Sequence, residues 1–421
     1  MKLAYNLFTY LISPLLFFHL LIRAFEDINY IYRIKERFGF YGNYLEGEVI
    51  WIHAVSFGEV KAASPLIREI IKNNPSKVIL FTCTTPTGSK LISDTFNDEV
   101  ISVYLPYDLK GPVIRFFNWA KPQIAIIIET EIWPNIFQEC GQREIPLILA
   151  SACISDRSQN LYKILFSLFK DTISNGIVVG AQTEADAKKF LELGAHKDRT
   201  FVTGNIKFDV SPPKEILDKA KTFKNAYFKD RPVWIAGSTH PPEEKLIIKA
   251  HEQLLDNFPD SLLIIAPRKP ERFKSVYKMI VDSGYPTIKW SEFKDLDQDT
   301  KVLLIDTLGD LPFFYCVSDI AFVGGSLFSV GGHNLLEPAS FEKPVLTGEF
   351  LQNVQEISSE LVEAGGLLLV KNSEELSEHL NNLFADDSAK EKMVSGAGKV
   401  MQENKGSIDN LMRLIKPLIE N

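Results

Sequence analysis

Short aliphatic runs, each followed by a polar loop and a helix-like stretch, constrain the fold of this chain more than any other feature. They are "VIWIHA" (49–54), "KVILFTCT" (77–84), "AIIIE" (125–129), "IPLILASA" (145–152) and "GIVVGAQ" (176–182). Each is shorter than a helix and apolar at successive positions, as a strand buried on both faces must be. Strands alternating with helices predict a doubly wound parallel sheet. The pattern pauses at "VSPPKEI" (210–216). It resumes with "PVWIAGST" (232–239), "LLIIAPR" (262–268), "KVLLIDT" (301–307), "DIAFVGG" (319–325) and "KPVLTG" (343–348). Two α/β halves joined near residues 208–230 are expected, which suits a length of 421 residues.

The N-terminus departs from this pattern. Residues 3–22, "LAYNLFTYLISPLLFFHLLI", carry no charge. As a helix they would span about 30 Å, the thickness of a bilayer's hydrocarbon core. No small-residue cleavage site follows, which argues against a secretory signal peptide. Arg23, Arg33, Lys35 and Arg37 follow the run and only Lys2 precedes it, so the positive-inside rule puts the body of the protein in the cytoplasm. The run is read as a membrane span. A helix lying in the interface is the alternative, because Asn6, Pro14 and His19 interrupt it. The net charge of −8 gives no support for nucleic-acid binding. Cys83, Cys140, Cys153 and Cys316 form no C-x-x-C pair, which fits a reducing compartment.

Ligands of parallel sheets bind beyond the carboxyl ends of the strands, and two such sheets facing a cleft are a common ligand site. The residues just after the strands therefore carry the interest. In "HAVSFGEV", Glu59 reads either as a first-turn glutamate that favours its helix or as a carboxylate base at a strand end. In "ETEIWPN", Glu129 and Glu131 would point the same way if the strand ran on, beside an exposed-type Trp133. "TPTGSK" lacks the order of a Walker loop and reads as a turn with a capping Thr or Ser. "SDRSQ" (155–159) reads as a polar loop, and "GNIKFD" places Lys207 near the domain junction. In the second half, Arg268 follows Pro267 at a strand end, where its fork of donors suits a phosphate or carboxylate. "DTLGDL" holds Leu308, Gly309 and Asp310 at another strand-to-helix turn. "DIAFVGGSLFSVGGHNLLEPASFEKPVLTG" (319–348) has two glycine pairs around a short loop, then Asn334, Leu335, Leu336 and Glu337. A helix starting near Asn334 would aim free N–H groups at a phosphate, and Glu337 could accept from a ribose. A plain cap by Asn334 and Glu337 is the competing reading. The D-x-D spacing in "DLDQD" lies in a charged loop, and no His/Cys cluster suggests a metal.

Taken in order, "HAVSFGE", "TPTGS", "YLPYD", "ETEIWPN", "SDRS", "TGNIKFD", "AGSTH", "PRKPERF", "DTLGDL" and "FVGGS…GGHNLLEP" resemble the bacterial 3-deoxy-D-manno-octulosonic acid (Kdo) transferases specific for lipid IVA. The resemblance covers nearly the whole chain. It implies a GT-B glycosyltransferase: an N-terminal transmembrane helix (1–25), then two Rossmann-like domains facing a cleft. The acceptor domain would be 26–210 and the CMP-sugar domain 211–421. It implies inverting transfer of Kdo from CMP-Kdo to the lipid A precursor lipid IVA at the inner membrane, with no metal or other cofactor. By resemblance Glu59 is the general base, and Glu129 and Lys207 stabilise the transition state. Pro267 and Arg268, Leu308 to Asp310, and Asn334 to Glu337 match the CMP-contacting segments. Glu131 is a supporting residue. Asp310 in place of a glutamate and Phe57 in place of a smaller residue are departures from the family pattern. The alternatives are another GT-B enzyme that uses a UDP-sugar and a non-enzymatic, membrane-anchored nucleotide-binding protein.

Overall fold

The computed structural model describes residues 2–26, 28–154, 158, 159, 162, 176–210, 212–229 and 231–420. Ser155, Asp156 and Arg157 of the "SDRSQ" loop lie outside the described residues. The chain forms two compact units, residues 1–209 with 404–421, and residues 210–403.

The first unit opens with helix α1 (Lys2–Glu26). Its sheet holds β1 (Val49–His53), β2 (Val78–Cys83), β3 (Ile101–Tyr104), β4 (Pro122–Ile128), β5 (Leu147–Ala152), β6 (Val178–Ala181) and β7 (Thr200–Val202). All pair in parallel, in the order β3-β2-β1-β4-β5-β6-β7. Helices α2 (Phe57–Asn73), α3 (Pro86–Phe96), α4 (Lys110–Ala120) and α5 (Pro134–Gln142) follow β1 to β4. The aliphatic runs are continuous because the sheet is covered on both faces. Val49 and Trp51 enter one hydrophobic cluster while Ile50 and Ile52 enter another. Ala125 and Ile127 divide from Ile124, Ile126 and Ile128 in the same way. Such alternation follows from the two-residue period of a strand.

The second unit repeats the plan. Its strands are β8 (Val233–Thr239), β9 (Leu262–Pro267), β10 (Thr287–Lys289), β11 (Val302–Leu304), β12 (Ile320–Val323), β13 (Val345–Gly348) and β14 (Leu367–Val370). They lie in the order β10-β11-β9-β8-β12-β13-β14, again in parallel. The strand order reverses between β1 and β4 in the first sheet and between β8 and β12 in the second, where β11 also lies between β10 and β9. That switch point opens a crevice at the carboxyl ends of the strands, where ligands of this fold bind.

One expectation is corrected. The second domain does not run to residue 421. The helix Ser407–Glu420 returns to the first unit, where Leu411, Ile415 and Ile419 join the cluster that holds Ile50 and Ile126. Their spacing of four residues makes one apolar stripe, which needs a sheet face to cover it. Asp209 fixes the return by accepting from Gly406 N (2.7 Å) and Ile408 N (2.6 Å).

Candidate active site

In the first unit, β1 and β4 are neighbours at the switch point, so the loops that leave them are neighbours too. Helix α2 starts directly after the β1 loop, with Ser56 as its N-cap. The Ser56 hydroxyl accepts from Glu59 N (3.4 Å) and donates to Glu59 Oε1 (3.0 Å), while Glu59 Oε2 accepts from Val55 N (2.7 Å). This reciprocal cap fixes where the carboxylate points. Burial raises the Glu59 pKa, and the charge of Glu129 raises it further. Glu59 thus caps its helix, and the same contacts hold a carboxyl whose pKa is raised.

Glu129 leaves β4 in the left-handed region, at φ 58°. A residue with a Cβ is strained there by roughly 1 kcal/mol or more, so the strand does not run on. The condition for Glu129 and Glu131 to share one strand face, a strand that runs on past Ile128, is therefore not met. Glu129 Oε1 pairs with Lys207 Nζ at 2.6 Å. Burial works against the Lys207 charge, but Glu129, with smaller help from Cys153 and Glu59, raises the ammonium pKa. Lys207 is delivered by a short 3-10 helix, Ile206–Phe208. That turn is held by Lys207 N donating to Asn205 Oδ1 (2.9 Å), and Asn205 Nδ2 donates to Gln182 Oε1 (2.9 Å).

Glu131 is pushed up to about 7, by burial first and then by the charge of Glu59. The Trp133 indole favours its ionised form from nearby, without a hydrogen bond of ordinary geometry. Trp133 is half-buried and packs against the hydrophobic core. Three carboxylates and one ammonium are thus collected at the exits of β1 and β4. The local sequence marks Glu59 and Glu129 but gives no sign that Glu131 is the one with the most perturbed titration.

"TPTGSK" is the capped turn expected: the Thr85 hydroxyl accepts from Gly88 N (3.1 Å) at the start of α3.

In the second unit the marked residues again follow strands. Arg268 is exposed just past β9, and Arg268 N donates to Thr239 O (3.0 Å). Leu308 is 72% exposed and Gly309 lies at φ 95°, so this turn presents its backbone to solvent. Asp310 accepts from Thr307 Oγ1 (2.5 Å) and Trp290 Nε1 (3.2 Å). After β12, Asn334 is exposed, whereas Leu335 and Leu336 are core residues with only main-chain groups to offer a ligand. The helix here begins at Leu336, not Asn334, because Asn334 Oδ1 accepts from Leu336 N (3.1 Å) and forms the turn before it.

Two residues that the sequence did not single out organise this loop. Glu243 is fully buried, and its carboxylate accepts from His240 N (2.7 Å), Gly325 N (2.7 Å), Ser326 N (3.4 Å) and Leu327 N (3.5 Å). His240 Nε2 lies 2.9 Å from His333 Nε2, which joins the loops after β8 and β12. His333 is held down to about 4 by burial, His240 and Arg268. Burial, Lys269, Arg268 and Arg272 lower His240. The glycines are required: a Cβ on Gly325 (φ 70°) would lie 2.8 Å from the His333 ring. The only legible signal for His240 was its place after β8, in "AGSTH".

Residues 32–210 match the family described as 3-deoxy-D-manno-octulosonic-acid transferase (kdotransferase). A 3-deoxy-D-manno-octulosonic acid transferase of Haemophilus influenzae is 38% identical over 411 residues, 97% of this chain and 96% of that protein. One from Rickettsia bellii is 30% identical over 421 residues, 99% of each chain. Among solved structures, the UDP-GlcNAc 2-epimerase of Neisseria meningitidis bound to UDP-GlcNAc is similar at a TM-score of 0.56, with 17% identity over 89% of this chain and 100% of that one. That likeness concerns the fold, two Rossmann-like α/β domains of the GT-B class. With relatives 38% and 30% identical over nearly its full length, this chain belongs to the 3-deoxy-D-manno-octulosonic acid transferase family and is a glycosyltransferase.

Proposed function

We propose that this protein moves Kdo from CMP-Kdo to the lipid A precursor lipid IVA, with inversion and without a metal, at the cytoplasmic face of a bacterial inner membrane. The observation that carries the reading is the group formed by Glu59, Glu129 and Lys207, three residues distant in sequence collected at one switch point. A sugar hydroxyl is a poor nucleophile, and a carboxylate whose pKa is raised toward neutrality is a better base for it. Glu59 takes the proton from the acceptor hydroxyl. The hydroxyl oxygen forms its bond to the anomeric carbon as the bond from that carbon to the CMP phosphate breaks, and CMP leaves with the electron pair. Lys207, oriented by Glu129, faces the carboxylate of Kdo or the charge that develops in the transition state.

In the second unit Pro267 and Arg268, Leu308 to Asp310, and Asn334 to Glu337 form the CMP site. The cations Arg268, Lys269 and Arg272, which act together on His240, supply a positive field for the phosphate. Leu335 and Leu336 take part through their main chain. The apolar helix α1, long enough by length and composition to cross a membrane, keeps the enzyme where an acylated acceptor resides.

The test is mass spectrometry of lipid IVA incubated with the full-length protein and CMP-Kdo, with UDP-GlcNAc as the competing donor. The product expected is heavier by whole Kdo residues. Transfer from UDP-GlcNAc alone overturns the assignment of the donor, and lipid IVA left unmodified by either donor overturns that of the acceptor.

A further inference from the structure

Helix α1 has two faces that differ in what covers them. Tyr5, Thr9, Ile12, Leu16 and Leu20 are partly or fully covered by the protein, at the spacing of one helical stripe. On the other side Leu3, Leu7, Leu11, Leu15, Phe18 and Ile22 are each 60–85% exposed, again as one stripe. A helix that crossed a bilayer upright would carry its start about 30 Å from its end, on the far side from the body. Here the start of α1 is tied to the body. Tyr5 Oη donates to Asp108 Oδ2 (2.8 Å), and Tyr10 Oη accepts from Gly111 N (3.0 Å). Asp108 is itself built into the domain: its carboxylate accepts from Asn135 N and Ile136 N, both at 3.0 Å, at the start of α5. The far end is tied as well. Arg33, seven residues past the helix, donates to Ser89 Oγ (3.2 Å) and Ser102 O (3.3 Å). Both ends of α1 therefore lie on one side, with the first unit.

We propose that α1 does not cross the membrane but lies along one leaflet, its exposed stripe among the upper acyl chains and its N-terminus on the same side as the catalytic domains. The occupant of this face is an anionic phospholipid surface. No acidic residue lies between positions 3 and 25, and Lys2, Arg23 and the exposed Lys110 beside Gly111 supply cations. The inference deepens the membrane reading above and does not depend on sugar transfer.

The experiment places a bimane probe on cysteine introduced by Leu3→Cys, Leu11→Cys or Ile22→Cys in the full-length chain. The labelled unsubstituted protein is the blank for its native thiols. Each protein is bound to vesicles of phosphatidylcholine and phosphatidylglycerol with bromine high or low on the acyl chains. The expected result is comparable quenching at all three positions, within about twofold, stronger from the shallow bromines. Deep quenching at position 11 with little at 3 and 22 is the signature of a crossing helix and overturns the proposal. Absence of quenching at all three also overturns it, because the stripe is then covered by another copy of the chain. Unchanged circular dichroism confirms that these exposed positions leave the fold intact, and loss of the Kdo assignment would leave the depth profile as it is.

Discussion

The Lys207 ammonium lies 2.6 Å from Glu129 Oε1, although the two residues leave different strands and are separated by the whole of β5, β6 and β7. The pair does more than hold a lysine. Glu129 raises the Glu59 pKa and Lys207 lowers it, so their balance tunes the proposed base. Glu129→Gln removes the charge that raises Glu59 and leaves the opposing one. The Glu59 pKa then falls, and since the base acts in its ionised form, the acid limb of the transfer rate moves to lower pH. The maximal rate should fall by roughly 10²-fold, as for loss of an oriented charge. A pH–rate profile of wild type and variant checks both.

Glu59→Gln separates chemistry from folding. The amide oxygen still accepts from Val55 N, so the helix cap survives in part. Transfer should drop about 10²- to 10⁴-fold, with CMP-Kdo binding retained. The melting temperature should move by no more than about 4 °C. Turnover assays, donor titration and thermal unfolding read the three quantities.

Glu131 makes stability depend on pH. Its folded pKa of about 7 exceeds the ordinary value of 4.5, so between those two values the folded state holds the proton more tightly than the unfolded one. The carboxyl therefore costs nothing below about pH 4.5, and its cost grows as pH rises to about 7 and is then constant. Glu131→Gln should stabilise the protein above pH 7 by at most ~3 kcal/mol, the gain fading toward pH 4.5. Denaturant unfolding at several pH values checks the sign.

Glu243→Ala leaves the main-chain donors of His240 and Gly325 to Leu327 without their buried acceptor. The expected loss is roughly 3 kcal/mol of stability in the second unit, with weaker CMP binding as the glycine loop loosens. Glu243→Gln should recover part of both, because one oxygen acceptor remains. Unfolding curves and CMP calorimetry distinguish the two variants.

Leu411→Ala tests the return of the C-terminal helix. Leu411 is fully buried and packs so close to β6 that a Cβ on Gly180 would lie 2.7 Å from its Cδ2. Its truncation should cost about 2–5 kcal/mol. Amide exchange should accelerate in β5 and β6 and stay unchanged in β8 and β12.

The sequence by itself determined the central strands of both sheets, because a strand covered on both faces is apolar at most of its positions. The strands it left unread, β3, β7, β10 and β14, are the four sheet edges. At β7 and β10 a face meets water and the cover thins: Phe201 and Val202 in β7 are each 41% exposed, and β10 has no fully buried residue; β14 is apolar at all four positions, so exposure does not explain why it went unread. Sequence also marked Glu59, Glu129 and Arg268, since each stands just past an apolar strand, and Lys207, by its place near the domain junction. Only the tertiary structure decided which of them meet. Sheet order puts β1 beside β4 and β8 beside β12, and no local propensity encodes that adjacency. The same holds for Glu243, whose partners Gly325 to Leu327 lie some eighty residues further along, and the proposed course of α1 rests on contacts that its apolar composition does not encode. Composition fixes the affinity of a segment for lipid, whereas contacts at its two ends fix its direction.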